Sequence, residues 1–148
     1  MMHLIPGSMS SSTALDAEKK RMEIVAQNIA NANTTSDADG EPYQRKLVKF
    51  ETLMDQQNTT DPRSQGELGQ SFVKGVRVAG IEEDKSPGHK IFNPAHPDAN
   101  KDGFVEMPNV KVQREMVDLI SSSRAYEANL SVVKTGREMA RQALAIGR

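Results

Sequence analysis

Residues 12–32 read STALDAEKKRMEIVAQNIANA, and the spacing of their apolar side chains decides the fold class. Leu15, Met22 and Ile29 recur every seven residues, Val25 and Ala32 fill the intermediate position, and Glu18 interrupts it. A seven-residue recurrence lays side chains along one stripe of an α-helix, the seam that a second helix covers. Thr13, with Asp16 three residues on, resembles a capping box, so the helix is expected to start there. The polar run Asn31 to Ser36 stops it, giving a helix of about 30 Å at ~1.5 Å per residue.

Working outward, the last forty residues return to the same period. Pro108 and Asn109 offer a start, Leu119, Tyr126, Val133 and Ala140 recur every seven, and Leu130 and Leu144 lie between. Ser123 and Arg137 break this stripe, Gly136 is expected to cost about 1 kcal/mol against Ala, and Gly147 ends the run. The middle holds six of the seven prolines. Tyr43–Phe50 and Phe72–Ile81 carry strand-compatible residues, with Val76 and Val78 alternating against Lys74 and Arg77. His89–Phe92 reads as a short third strand, Phe104–Met107 as strand-like, and the polar stretch Asp55–Gly69 as a mobile loop. The expectation is an α+β fold in three parts: an N-terminal helical arm over 1–36, a β-rich, loop-rich central module over 37–108, and a C-terminal helical arm over 109–148. The two arms are expected to form a coiled-coil-like pair.

Composition bounds what such a fold can do. The 148 residues are 36% hydrophobic with no Trp and only four Phe and two Tyr, and the mean hydropathy is -0.59. Aromatic rings remove large apolar areas from water, so a chain this poor in them suits a small central core with helix faces awaiting a partner. The net charge of -1 favours neither nucleic acid nor anionic lipid. Lys19, Lys20 and Arg21 sit in helical spacing between Asp16, Glu18 and Glu23, a solvated face. With no cysteine, the chain offers neither a disulfide framework nor a thiolate metal site. No apolar run reaches the roughly 18–20 residues that span a bilayer, so no membrane insertion is expected. The opening residues have no charged-then-apolar pattern, so no cleaved signal is expected either.

Several constellations invite chemistry and lack its context. Asp98, Asn100, Asp102 and Gly103 match positions of a calcium loop, with Glu106 at the ninth position. The twelfth position, where calcium needs a bidentate Glu, is Asn109, and the Pro-rich residues 93–97 cannot form the entering helix. An Asx-type turn leading into a strand explains the same residues. His96-Pro97-Asp98 repeats a tripeptide of the J-domain co-chaperones, but without the flanking helices. His89, His96 and Asp98 share no helix face or tight turn that would bring them onto a metal. Glu115 with Asp118 or Glu127 would form a carboxylate pair only if buried together, and the helix period exposes them. No nucleophile elbow, phosphate loop or zinc-protease motif occurs. The expectations are therefore no catalytic residue, no metal, no cofactor and no enzyme.

Read in order, Ala14-Leu15-Asp16-Ala17, Arg21-Met22 and Asn28-Ile29-Ala30-Asn31-Ala32-Asn33-Thr34 resemble the signature of the flagellar rod and hook axial proteins. Gly40 to Lys46 is similar to the segment that marks the C-type proximal rod members. Ser86-Pro87, Asn93 to Asn100, Gly103-Phe104-Val105, Pro108-Asn109-Val110, Glu115 to Ile120 and Ser123-Arg124-Ala125-Tyr126-Glu127-Ala128-Asn129 continue the pattern across nearly the whole chain. Met1–Ser8, with Pro6 and Gly7, departs from it.

The resemblance implies a structural subunit of the proximal rod of the bacterial flagellar basal body. Its terminal helices would self-assemble to transmit torque and line the export channel, while the middle faces outward. Leu15, Met22, Val25 and Ile29 are expected to face Leu119, Tyr126, Leu130 and Val133, from the same or a neighbouring chain. Asn28, Asn31, Asn33, Thr34, Arg124, Glu127 and Asn129 carry the family motifs. Implied partners are other rod subunits and further copies of itself, basal-body membrane-ring and adaptor proteins, and the flagellar type III export machinery. The implied location is the periplasmic rod, reached without signal cleavage. A hook or distal-rod subunit is the nearest alternative, and a calcium-binding module using Asp98–Asp102 a remote one.

Overall fold

The computed structural model describes residues 6–36, 40–55 and 72–146. Two helices frame two small antiparallel sheets, an α+β arrangement in the order α1 (Pro6–Ala30), β1 (Lys46–Asp55), β2 (Phe72–Glu83), β3 (Lys90–Phe92), β4 (Phe104–Glu106) and α2 (Val112–Ile146).

Helix α1 starts at Pro6, seven residues before Thr13, where the capping-box pattern put the start. Proline suits a first helical position because its fixed φ is already helical and its missing N–H would have had no partner there. Thr13 is therefore no cap. It lies inside the helix, its hydroxyl donating to the Ser10 carbonyl (2.9 Å) and accepting from Val76 N (3.2 Å). The helix stops at Ala30, where Asn31 to Asn33 turn. Helix α2 starts at Val112, not at Pro108 or Asn109, with the Lys111 carbonyl accepting from Arg114 N and Glu115 N. Asn109 is recruited elsewhere: its Oδ1 accepts from Arg45 N (2.7 Å) and its Nδ2 donates to the Asp84 carbonyl (2.7 Å). Gly147, expected to end α2, lies outside the described residues.

Strands β1 and β2 form a ribbon running from Lys46↔Glu83 to Asp55↔Phe72, with register shifts at Lys49/Phe50 and Leu53/Met54. Its first strand begins three residues later than expected, because Tyr43 turns inward instead of pairing. The expected loop over residues 56–69 lies outside the described residues. Glu51–Arg77 and Lys49–Glu82 pair across the ribbon at exposed positions, where such ion pairs contribute little. The short β3–β4 hairpin sets Phe92 against Phe104, ring centroids 5.3 Å apart and edge-on, and buries Val105 on the opposite side. At its tip, Gly103 has φ +79, which only glycine adopts without strain.

Helix α1 crosses the ribbon at a close contact. A Cβ on Gly75 would stand 2.1 Å from Thr13 Oγ1, so only glycine lets the Thr13 hydroxyl reach the β2 backbone. The two helices run antiparallel, since Asn28 near the end of α1 meets Glu115 near the start of α2, and Arg21 meets Asp118 one turn on. Ala32, Tyr43 and Val110 form a small apolar cluster where α1 ends and α2 begins, with Val112 packed against it.

Candidate assembly interface

Beside that cluster lies a buried polar junction. Asn28 is 1% exposed and every hydrogen-bonding position of its amide is used. Its Oδ1 accepts from Tyr43 OH and Lys46 N (both 2.9 Å), and its Nδ2 donates to the Lys46 carbonyl (2.9 Å) and Glu115 Oε2 (3.0 Å). Glu115 is 0% exposed, and its other oxygen accepts from Arg45 Nε at 2.6 Å. Arg45 Nη2 reaches Asp118 Oδ2 at 3.4 Å, and Arg21 Nη2 stands 3.8 Å from Asp118 Oδ1. Three elements are thus held by one chain of charge-assisted bonds, the stronger kind. The reading of Glu115 and Asp118 as exposed is overturned. The helix period places Glu115 off the apolar stripe, but the Arg45 guanidinium compensates its charge and permits burial.

The carboxylate of Asp84 accepts from the Ser86 hydroxyl and from Ser86 N (3.0 Å), and these bonds, the hydroxyl first, hold it below its ordinary pKa. Stability from a depressed carboxylate is present at neutral pH and is lost as pH falls through the lowered value. The turn it closes is the one that Asn109 Nδ2 grips through the Ser86 carbonyl at 3.0 Å.

The helix residues expected to pack sort by depth. Val25 is buried, while Leu15, Met22, Ile29, Leu119, Tyr126, Leu130 and Val133 are half-buried. Ile24 and Ala17 of α1 are buried as well and lay outside the seven-residue reading, because α1 also packs on the β1–β2 ribbon. On α2 the deepest row is Glu115, Ser122 and Gly136, adjacent to the apolar stripe and not on it. Ser122 disposes of its hydroxyl by donating to the Asp118 carbonyl. Asn31, just past the end of α1, and Asn129, within α2, each donate to the carbonyl four residues back, and Thr34 Oγ1 donates to Asn31 Oδ1. Asn33, Arg124 and Glu127 are exposed.

The outer side of α2 also carries large apolar residues, interspersed with Arg124, Thr135 and Gln142. Val117 is 64% exposed, and Val132, Met139 and Ile146 (85%) fall within about 60° of it at 3.6 residues per turn, roughly 100° round from the buried row. A helix with large apolar side chains exposed away from its packed stripe has apolar surface to spare in a lone chain.

The calcium-like segment closes on itself. Asn100 Oδ1 accepts from Asp102 N (3.0 Å) and Phe104 N (2.9 Å), and Asp98 Oδ2 accepts from Thr35 Oγ1 (2.7 Å). His96 Nδ1 accepts from Asp98 N at 3.1 Å, in a loop between two strands. Among the described residues no group of three or more His, Asp or Glu is placed to hold a metal, and no helix is long and apolar enough to cross a membrane.

Comparison with known proteins matches both helical arms. A family model described as flagella basal body rod protein covers residues 10–36, and one described as flagellar basal body rod FlgEFG protein C-terminal covers residues 101–146. The flagellar basal-body rod protein FlgC of Borreliella burgdorferi is 44% identical over 140 residues, 92% of each chain. Its namesake in Bacillus subtilis is 39% identical, covering 93% of this chain and 94% of its own. In Salmonella typhimurium the identity is 36%, over 93% and 92%.

Proposed function

The chain belongs to the FlgC family of flagellar basal-body rod proteins, structural and non-enzymatic, and from that premise we propose how this subunit of the proximal rod builds its assembly. The outer side of α2, where Val117, Val132, Met139 and Ile146 stand exposed in the single chain, carries the reading. Neighbouring rod subunits cover it with their own terminal helices. Leu15, Met22, Val25 and Ile29, with Leu119, Tyr126, Leu130 and Val133, form the helix seam. Val25 is already buried within the subunit, and the half-buried side chains of the others are completed by neighbours, each contributing up to about 1.5–3 kcal/mol on full burial. Asn31, Asn33, Thr34, Arg124, Glu127 and Asn129 supply the polar part of those contacts, while Asn28 acts within the subunit.

Residues 1–36 and 109–148 serve as the assembling arms, and 37–108 faces outward toward ring and adaptor proteins of the basal body. The subunit reaches the periplasm through the flagellar type III export machinery without signal cleavage. Packed arms line the export channel and carry torque, because helices locked side by side resist twisting.

The test is to replace Val117, Val132 and Met139 together by Lys in a cell lacking the native gene. The expected result is a purified chain with wild-type helix content, and cells that make a membrane ring but no rod, hook or filament. Normal swimming by that variant would remove the outer row from the interface.

A further inference from the structure

The seam between α1 and α2 repeats every seven residues on both helices: Leu15, Met22, Ile29 on one, Leu119, Tyr126, Val133, Ala140 on the other. Sliding one helix by seven residues, about 10 Å at ~1.5 Å per residue, therefore sets apolar residues against apolar residues again. Pairing with the same stripe of another copy does so as well. Apolar burial is non-directional and discriminates poorly among these arrangements. Something else must choose one.

The polar junction does not repeat. Glu115 is wholly buried between Arg45 Nε (2.6 Å) and Asn28 Nδ2 (3.0 Å). Seven residues along α2, the next member of its row is Ser122, a short side chain whose hydroxyl already donates to the Asp118 carbonyl. In any shifted pairing Ser122 cannot neutralise Arg45, and Glu115 enters a space shaped for serine with neither partner in reach. Helix α1 cannot follow to repair this, since Thr13 is fastened to Val76 N over Gly75. Arg45 cannot follow either, because its carbonyl accepts from Asp84 N at 2.8 Å, which holds it to the end of β2.

We propose that the Asn28–Arg45–Glu115 junction is a register lock, which makes α2 close on its own α1 at one setting and keeps the repeated stripes from slipping or pairing with another copy. A buried ion pair suits this task. Compared with apolar residues of similar size it adds little stability, but a pairing that separates its partners leaves a buried charge uncompensated. The device penalises wrong alternatives more than it favours the right one. With the lock closed, every folded subunit presents the same outer row to its neighbours.

The chain has no cysteine, so Cys at the exposed positions Ala26 and Ser121 can carry a pair of spin labels without background. The full-length labelled chain is expected to give one narrow distance by pulsed electron resonance. The variant Asn28→Leu, Arg45→Met, Glu115→Leu is expected to keep its helix content while melting lower, because the Tyr43 hydroxyl and two Lys46 backbone groups lose their bonds to Asn28. Its distance distribution should split or broaden by a component displaced by about 10 Å, one seven-residue slip. Mixed singly labelled chains should then show new intermolecular distances. A second variant, Glu115→Gln, keeps the side-chain shape and removes the charge, and is expected to broaden the distribution less. One narrow, unchanged distance in the folded triple variant overturns the lock, as does a broad distribution in the unaltered chain. Loss of helix in both variants overturns it too, because the junction would then supply stability in place of selectivity.

Discussion

Asn28 joins three elements through one amide, which makes its substitutions informative about charge as well as bonding. Asn28→Ala removes a hydrogen-bond partner from Glu115 Oε2, the Tyr43 hydroxyl and two backbone groups of Lys46, so a loss of about 3 kcal/mol is expected. Asn28→Asp is expected to cost more, since it sets a second carboxylate against buried Glu115. Urea denaturation of the two variants checks the order, and an Asp variant as stable as the Ala variant contradicts it. At this scale the sequence was only partly legible. Asn28 stood out within the Asn28–Thr34 motif, but nothing local showed that its partners lie at Tyr43, Lys46 and Glu115. Glu115 was misread as exposed because its burial depends on Arg45, 70 residues earlier in the chain, and periodicity reports only on neighbours along a helix.

Elements were more legible than residues, because each helix and strand is written in a local period. The α1 stripe and the alternation through Val76 and Val78 both fall in the elements they indicated. Boundaries moved where tertiary contacts claimed the signal: Thr13 left its cap role to bond β2, and Asn109 left the start of α2 to clamp Arg45 and Asp84. The first of these contacts can be tested directly. Gly75→Ala drives a methyl into Thr13 and is expected to destabilise by about 1–3 kcal/mol. Adding Thr13→Ala should recover part of that loss, giving a coupling of opposite sign in a double-mutant cycle. Glu18 offers the converse test. It interrupts the α1 stripe, and its Oε2 is buried with no hydrogen-bond partner among the described residues. Glu18→Leu is expected to raise the stability of the isolated chain by about 1 kcal/mol, read as a higher melting temperature.

At the scale of the whole molecule, the shortage of aromatic residues and the exposed outer row of α2 have one physical consequence. The described part of a single subunit buries a small apolar cluster, half-buries two helix stripes, and leaves large apolar side chains at Val117, Ile120, Val132, Met139 and Ile146 in water. With a net charge of -1, the chain has little long-range field with which to attract or repel its neighbours. Association should therefore behave as apolar burial and not as charge pairing. Raising sodium chloride from roughly 50 mM to roughly 500 mM shortens the screening length several-fold and is expected to leave self-association of the purified chain nearly unchanged. Sulfate, which is excluded from protein surface, should strengthen it, and cooling should weaken it. Sedimentation velocity across that grid separates the two origins. Dissociation by sodium chloride alone would assign the contacts to charge pairs, and the outer row of α2 would then lose its place as the surface on which the rod is built.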